Sequence, residues 1–243
     1  AMHLLVLQHE TVEHPGIFRS FLAEDGHTYD AIEMQKAEAL PPIDDYDALW
    51  VMGGPQDTWQ EDEFPWLKNE KLFIREAVVD RQLPFFGLCL GHQLLAEALG
   101  GKVGPSETPE VGVMDVELND HPATKRFFAG LPQRLETLQW HDAEVTDLPN
   151  GVDVLAASPA CRIQAIAYGN HAVSAQFHFE TEPDTVENWS KIPAYAAALE
   201  RALGAGALPK LDAEVSAKMG DFNAAARQFY TNWMKAAVRH EPA

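Results

Sequence analysis

Cys89 lies in the run Pro84–Gln93, PFFGLCLGHQ, with a glycine two positions to either side, and the chain has only one other cysteine, Cys161. A thiol in that setting suits nucleophilic attack. The apolar residues before it read as a strand and those after it as a helix, so it would stand in the sharp turn between them. The first N–H groups of the helix would face the sulfur, favouring thiolate and offering donors to an oxyanion formed beside it. The same five residues also suit a small cysteine that merely packs. The pattern by itself does not choose.

A cysteine nucleophile needs a base, usually a histidine held by a third group. The chain has ten histidines, so spacing, not presence, is the signal. In Ser174–Glu182, SAQFHFETE, an extended backbone puts His178 and Glu180 on one face, with Phe177 and Phe179 turned into apolar packing. A carboxylate there would set the tautomer of the imidazole and stabilise its charged form. Alone, the pair also suits a surface histidine at a strand end. A third element, Gly53-Gly54-Pro55, follows the apolar run Ala48–Met52 and could bring a backbone N–H close to a reacting carbonyl; by itself it is only a turn.

The elements needed to position these groups are legible. Strands are expected at His3–Gln8, His27–Glu33, Ala48–Met52 and Leu83–Gly87. Helical patterns fall at Pro15–Glu24, Pro65–Arg81 and Leu90–Leu99. That alternation predicts an α/β fold, flavodoxin-like or Rossmann-like, with a mostly parallel central sheet flanked by helices. Ligands bind outside the carboxyl ends of such strands, where Cys89 and Gly53 fall. After Val103 come strand-like pieces at Val111–Leu118, Leu135–Gln139, Val152–Ala157, Ile163–Tyr168 and Ala172–Phe177. From Pro183 the chain turns helical. The expected organisation is an α/β domain over 1–182, with a helical extension over 183–243 packed on it. Phe222, Phe229, Tyr230 and Trp233 recur at helical spacing, for packing on the main domain or for a homodimer face.

Composition narrows the function classes. A formal charge of −19, with no basic cluster, predicts repulsion from nucleic acid and anionic membranes. No leader and no run of about 18 apolar residues is present, and two cysteines suit a reducing compartment. A cytoplasmic location is expected. His9, His121 and His141 show no metal-ligand spacing, so no metal is expected, and Cys161 reads as a packing thiol.

Taken in order, WVMGGPQD, PFFGLCLGHQLLAEALGGKV, QWHDAEV and SAQFHFE resemble the class I glutamine amidotransferases, whose glutaminase domains use a cysteine triad. More closely, the chain resembles the stand-alone members related to the glutaminase domain of GMP synthase, and the resemblance runs from the first strand to about Glu182. It implies Cys89 as nucleophile, His178 as general base and acid, and Glu180 as the orienting carboxylate. It implies an oxyanion hole from the backbone N–H groups of Gly54 and Leu90, and substrate-side positions at Gln93, Gly53 and His141. The implied chemistry cleaves a γ-amide through a thioester, with no cofactor. Ammonia would pass to a separate synthase subunit, since no ATP-binding loop is seen, or the enzyme would be a free-standing hydrolase of γ-glutamyl amides or peptides. A non-catalytic binding protein on this scaffold would typically lack His178 or Glu180. Two residues depart from the family pattern: Phe179 stands where a proline is common, and Asp142 where a glycine follows the Trp-His pair.

Overall fold

A computed structural model describes residues 1–243. Its strands are β1 (His3–Gln8), β2 (Thr28–Glu33), β3 (Ala48–Val51), β4 (Phe85–Leu88), β5 (Lys102–Leu118), β6 (Arg134–Asp147), β7 (Val152–Ala157), β8 (Ala165–Tyr168) and β9 (Ala172–Ala175). The helices are α1 (Phe18–Glu24), α2 (Trp66–Arg75, continued by a π-turn over Glu76–Asp80), α3 (Leu90–Ala98), α4 (Pro122–Phe127), α5 (Thr185–Ser190), α6 (Pro193–Leu203) and α7 (Leu208–Arg239).

All nine strands join one sheet, in the order β2-β1-β3-β4-β9-β8-β7-β5-β6. Pairing is parallel from β2 to β9 and antiparallel from β9 to β6. The α/β class is the one expected, and its sheet is mixed. The reason is connection length: β8 and β9 are joined by only Gly169–His171, too short for the crossover that a parallel pair needs. β6 runs well past the expected Gln139, because the QWHDAEV segment continues pairing with the start of β5.

Inward of the edge strand β2, the parallel strands are buried on both faces, as their unbroken apolar runs require. Leu4, Val6, Trp50 and Phe86 point to one side, where α1 and α7 cover them. Leu5, Leu7, Leu49 and Phe85 point to the other, against α2 and α3. Helix α7, Leu208–Arg239, lies within the stretch from Pro183 that was expected to be helical. Its Phe222, Phe229, Tyr230 and Trp233 are fully buried in the first of these layers, and the Trp233 ring meets Trp50 at 5.5 Å. These aromatics close the sheet and are not a free face. No helix is long and apolar enough to cross a membrane.

Candidate active site

Strand β4 ends at Leu88 and α3 begins at Leu90, so Cys89 alone makes the turn. Its backbone sits at φ 52° and ψ −106°, a region an L-residue adopts only under strain. The flanking glycines explain how helix and sheet tolerate it. A Cβ on Gly91 would lie 1.9 Å from the Val51 carbonyl oxygen, so only glycine lets α3 start this close to β3. Leu90, first residue of α3, has an N–H with no partner within the helix. Burial pushes the Cys89 thiol up from its ordinary range; the neighbouring His178 pulls it back without reversing the direction. Burial therefore outweighs the pull of the neighbouring imidazole. Gln176 donates its amide to the sulfur at 3.4 Å.

His178 lies three residues beyond β9, and its backbone exchanges two 2.9 Å hydrogen bonds with Leu138 of β6. Its Nδ1 is 2.9 Å from Glu180 Oε2, which leaves Nε2 for the cysteine. Burial opposes charge on this ring, but Glu180 and the neighbouring thiol hold it well above the usual histidine range. Trp189 of α5 packs edge-on to the imidazole at 4.6 Å. Phe177 and Phe179 point into the core, the alternation their spacing predicts.

Gly53 closes the third side. A Cβ built on it would sit 3.4 Å from that of Cys89 and only 1.6 Å from a carboxylate oxygen of Glu13. Glu13 follows β1, is 1 % exposed, and receives a hydrogen bond at neither oxygen. Burial pushes its carboxyl up to about 7, with His178 and Tyr195 pulling against that rise. This second buried acid beside the cysteine, after Glu180, has no counterpart among the motifs read from the sequence.

Cys89, Leu90 and Gly54 share a cavity of about 260 Å³ with Gln93, His141 and Tyr195. Gln93 lines it with its amide nitrogen already engaged by the Ala143 carbonyl at 3.1 Å and Gln176 at 3.0 Å, so only its oxygen is free for a ligand. His141 lines it too, but both ring nitrogens are engaged, with Ala143 O at 2.7 Å and Glu110 Oε1 at 2.8 Å. Glu110, His141 and Cys161 gather their ligand-capable atoms within 4.8 Å. The Glu110 carboxylate there already accepts from His141, Gln164 and Ser158. His92, next to the elbow, is buried and bonded to Ser174, and burial drives its ring down to about 3. It stays neutral. A larger cavity of about 770 Å³, against Lys125, Arg126, Lys235 and Arg239, contains none of these groups.

The sequence of the chain matches the family model for class-I glutamine amidotransferases over residues 22–188. The chain belongs to that family. It is 33% identical over 190 residues to a glutamine amidotransferase-like protein, YfeJ, of Salmonella typhimurium, covering 76% of this chain and 78% of that one. It is 33% identical over 152 residues to one subunit of the glutamine-hydrolyzing GMP synthase of Saccharolobus solfataricus, covering 60% of this chain and 76% of the relative. The crystal structure of a glutamine amidotransferase from Thermotoga maritima superposes with a TM-score of 0.85 at 27% identity, covering 98% of this chain and 99% of the other.

The two departures from the class I pattern have structural explanations. The Phe179 N–H donates to Glu180 Oε1 at 3.0 Å, a bond that proline could not make. Asp142 lies on the cavity rim and pairs with Arg201 of α6 at 3.2 Å. Helix α6 thus contributes Ala194, Tyr195, Ala198 and Arg201 to the cavity wall. Asp57, on the same rim, is pushed up to about 6 by burial and by Asp142. Sequence reasoning missed Glu13, Gln176, Asp57, Tyr195 and Arg201. Glu13 and Asp57 follow the carboxyl ends of β1 and β3, and that position was the available signal. Tyr195 and Arg201 carried none, because a helix more than a hundred residues after the elbow folds back over it.

Proposed function

We propose that this chain hydrolyses the γ-amide of glutamine, or of a small γ-glutamyl amide, through a thioester on Cys89. The observation that carries the reading is a strained cysteine that shares one cavity with the unpaired N–H groups of Gly54 and Leu90 and has a Glu-held histidine beside it. His178 Nε2 takes the thiol proton as Cys89 Sγ attacks the amide carbon. The oxygen of the tetrahedral intermediate is met by the Gly54 and Leu90 N–H groups. His178 returns the proton to the departing nitrogen, ammonia or amine leaves, and the thioester remains. Water, deprotonated by His178, adds to the thioester, and glutamate leaves as the sulfur is released.

The size of the site supports an amino-acid-sized substrate, since about 260 Å³ lies below the roughly 300–1,000 Å³ common for larger ligands. The rim carries charges of both signs, Asp57, Asp142 and Arg201, a complement to an α-ammonium and an α-carboxylate. A relative that is one of the subunits of a GMP synthase supports a separate ammonia-accepting partner.

The test is to incubate the purified chain with glutamine and assay glutamate and ammonia, then label it with a glutamine-mimicking electrophile. Label on Cys89 and not Cys161, with glutamate released, is the expected result. Full activity in Cys89→Ser, or label confined to Cys161, overturns the triad. Turnover that rises only on adding a synthase subunit points to a partner; brisk unaided turnover points to a free-standing hydrolase.

A further inference from the structure

A third buried His–Glu pair lies behind the cysteine site, and the hydrolytic chemistry does not use it. His9, directly after β1, and Glu70 of α2 are both wholly shielded from solvent, with Nε2 2.7 Å from Glu70 Oε2. The other nitrogen of the ring, Nδ1, lies 3.1 Å from the carbonyl oxygen of Gly53. Both ring nitrogens therefore face acceptors, and both donate. Trp66 stacks on the ring at 5.7 Å, and Gln56 donates to the His9 carbonyl at 3.0 Å, so the imidazole is held from several sides.

The consequence is for the peptide between Gly53 and Gly54. No cis bond occurs in the chain, so the C=O and N–H of this peptide point in opposite directions. With its oxygen drawn back to His9, its N–H is turned away from His9. Gly54 lines the cavity with Cys89, and its N–H donates to no acceptor in the chain. Two adjacent glycines make this the part of the wall least able to hold its own orientation. A peptide rotated by half a turn would put the Gly53 oxygen where the substrate's negative oxygen must form.

We propose that His9, braced by Glu70, is a positioning residue that locks the Gly53–Gly54 peptide with its N–H aimed at the oxyanion. The inference rests on the hydrolase reading above and adds to it the device that holds one oxyanion donor in place. A buried ion pair of this kind contributes little net stability compared with apolar packing, and is retained where it selects one conformation. Burial opposes charge on His9, but Glu70, the Gly53 carbonyl and the nearby Glu13 hold the ring above its ordinary range.

The test uses the full chain and keeps Glu70 from being left as a lone buried carboxylate. Three variants are compared with wild type: Glu70→Gln, His9→Asn with Glu70→Gln, and His9→Phe with Glu70→Gln. The asparagine amide places a donor near the position of Nδ1; phenylalanine fills the space and donates nothing. Each is assayed for glutamine kcat and KM, and for alkylation of Cys89 by iodoacetamide, a displacement that forms no oxyanion. The phenylalanine variant should lose about 10²–10³ in kcat, the effect of one oxyanion donor, with KM and alkylation within about twofold. Glu70→Gln and the asparagine variant should stay within about tenfold of wild-type kcat, the pattern of a donor restored. Retained kcat in the phenylalanine variant overturns the lock, and so does a parallel fall of kcat and alkylation, the mark of a site that has merely collapsed. A wild-type chain that releases no glutamate overturns the hydrolase reading and the lock with it, an outcome distinct from either variant result.

Discussion

His178 with Glu180 and His141 with Glu110 are two buried His–Glu pairs of nearly equal length, 2.9 Å and 2.8 Å. They differ in the second nitrogen of the ring. In His178 that atom is free, and in the proposed mechanism it passes a proton between the Cys89 sulfur and the substrate. In His141 it is tied to the Ala143 carbonyl, and the ring joins β6 to a closed network of Glu110, Gln164 and Ser158. A carboxylate beside a histidine therefore does not by itself mark a base. The free nitrogen does, together with a group for it to act on.

The comparison is broken most directly by removing each ring. His178→Ala should lower glutamine kcat by about 10⁴-fold, roughly 5 kcal/mol of activation free energy, with little loss of fold. His141→Leu should do the reverse. It leaves the buried Glu110 carboxylate with only the neutral donors Gln164 and Ser158 and lowers unfolding free energy by about 3 kcal/mol in urea melts, while kcat changes less than tenfold. Equal effects of the two on kcat would erase the distinction.

Glu13 sharpens it by showing what an acid without a partner does. Its folded carboxyl is raised from 4.5 to about 7. Below pH 4.5 it is protonated in both folded and unfolded chains and costs nothing. As pH rises to about 7 the unfolded chain loses the proton first, so stability falls. Glu13→Gln should remove that slope, gaining about 3 kcal/mol relative to wild type at pH 8 over the comparison at pH 4. Unfolding curves at the two pH values check it; a gain of the same size at both would place the effect elsewhere.

The smallest effect concerns the second oxygen of the orienting acid. Phe179→Pro removes the N–H that Glu180 Oε1 accepts, and should lower kcat by about fivefold to tenfold with iodoacetamide alkylation of Cys89 unchanged. No change in kcat would mean that Oε2 alone holds His178.

Much of this site was legible in short stretches of the chain. GLCLG, HFE and GGP each couple residue type to local geometry: a turn that needs glycine, an alternation of period two, a strand end. β1 and β7 fall on the residues expected, and the core side of Phe177 and Phe179 follows from the same period. Helix α7 falls within the stretch from Pro183 that was expected to be helical, and its Leu211, Val215 and Phe222 are buried at helical spacing. Glu13, Tyr195 and Arg201 were hidden, because their surroundings come from segments distant in the chain.

Local order was thus enough to specify a cysteine at a strand-to-helix turn, a histidine beside a carboxylate, and an α/β sheet to carry them, because sterics and side-chain periodicity act over a few residues. Only the assembled structure decided that the thiol is raised by burial, that His141 and the amide nitrogen of Gln93 are already engaged, and that α6 walls the cavity. It also set His9 behind the Gly53–Gly54 peptide. Desolvation, and the use of each donor and acceptor, depend on what packs from the far side, and packing between segments far apart in the chain is set only by the whole fold.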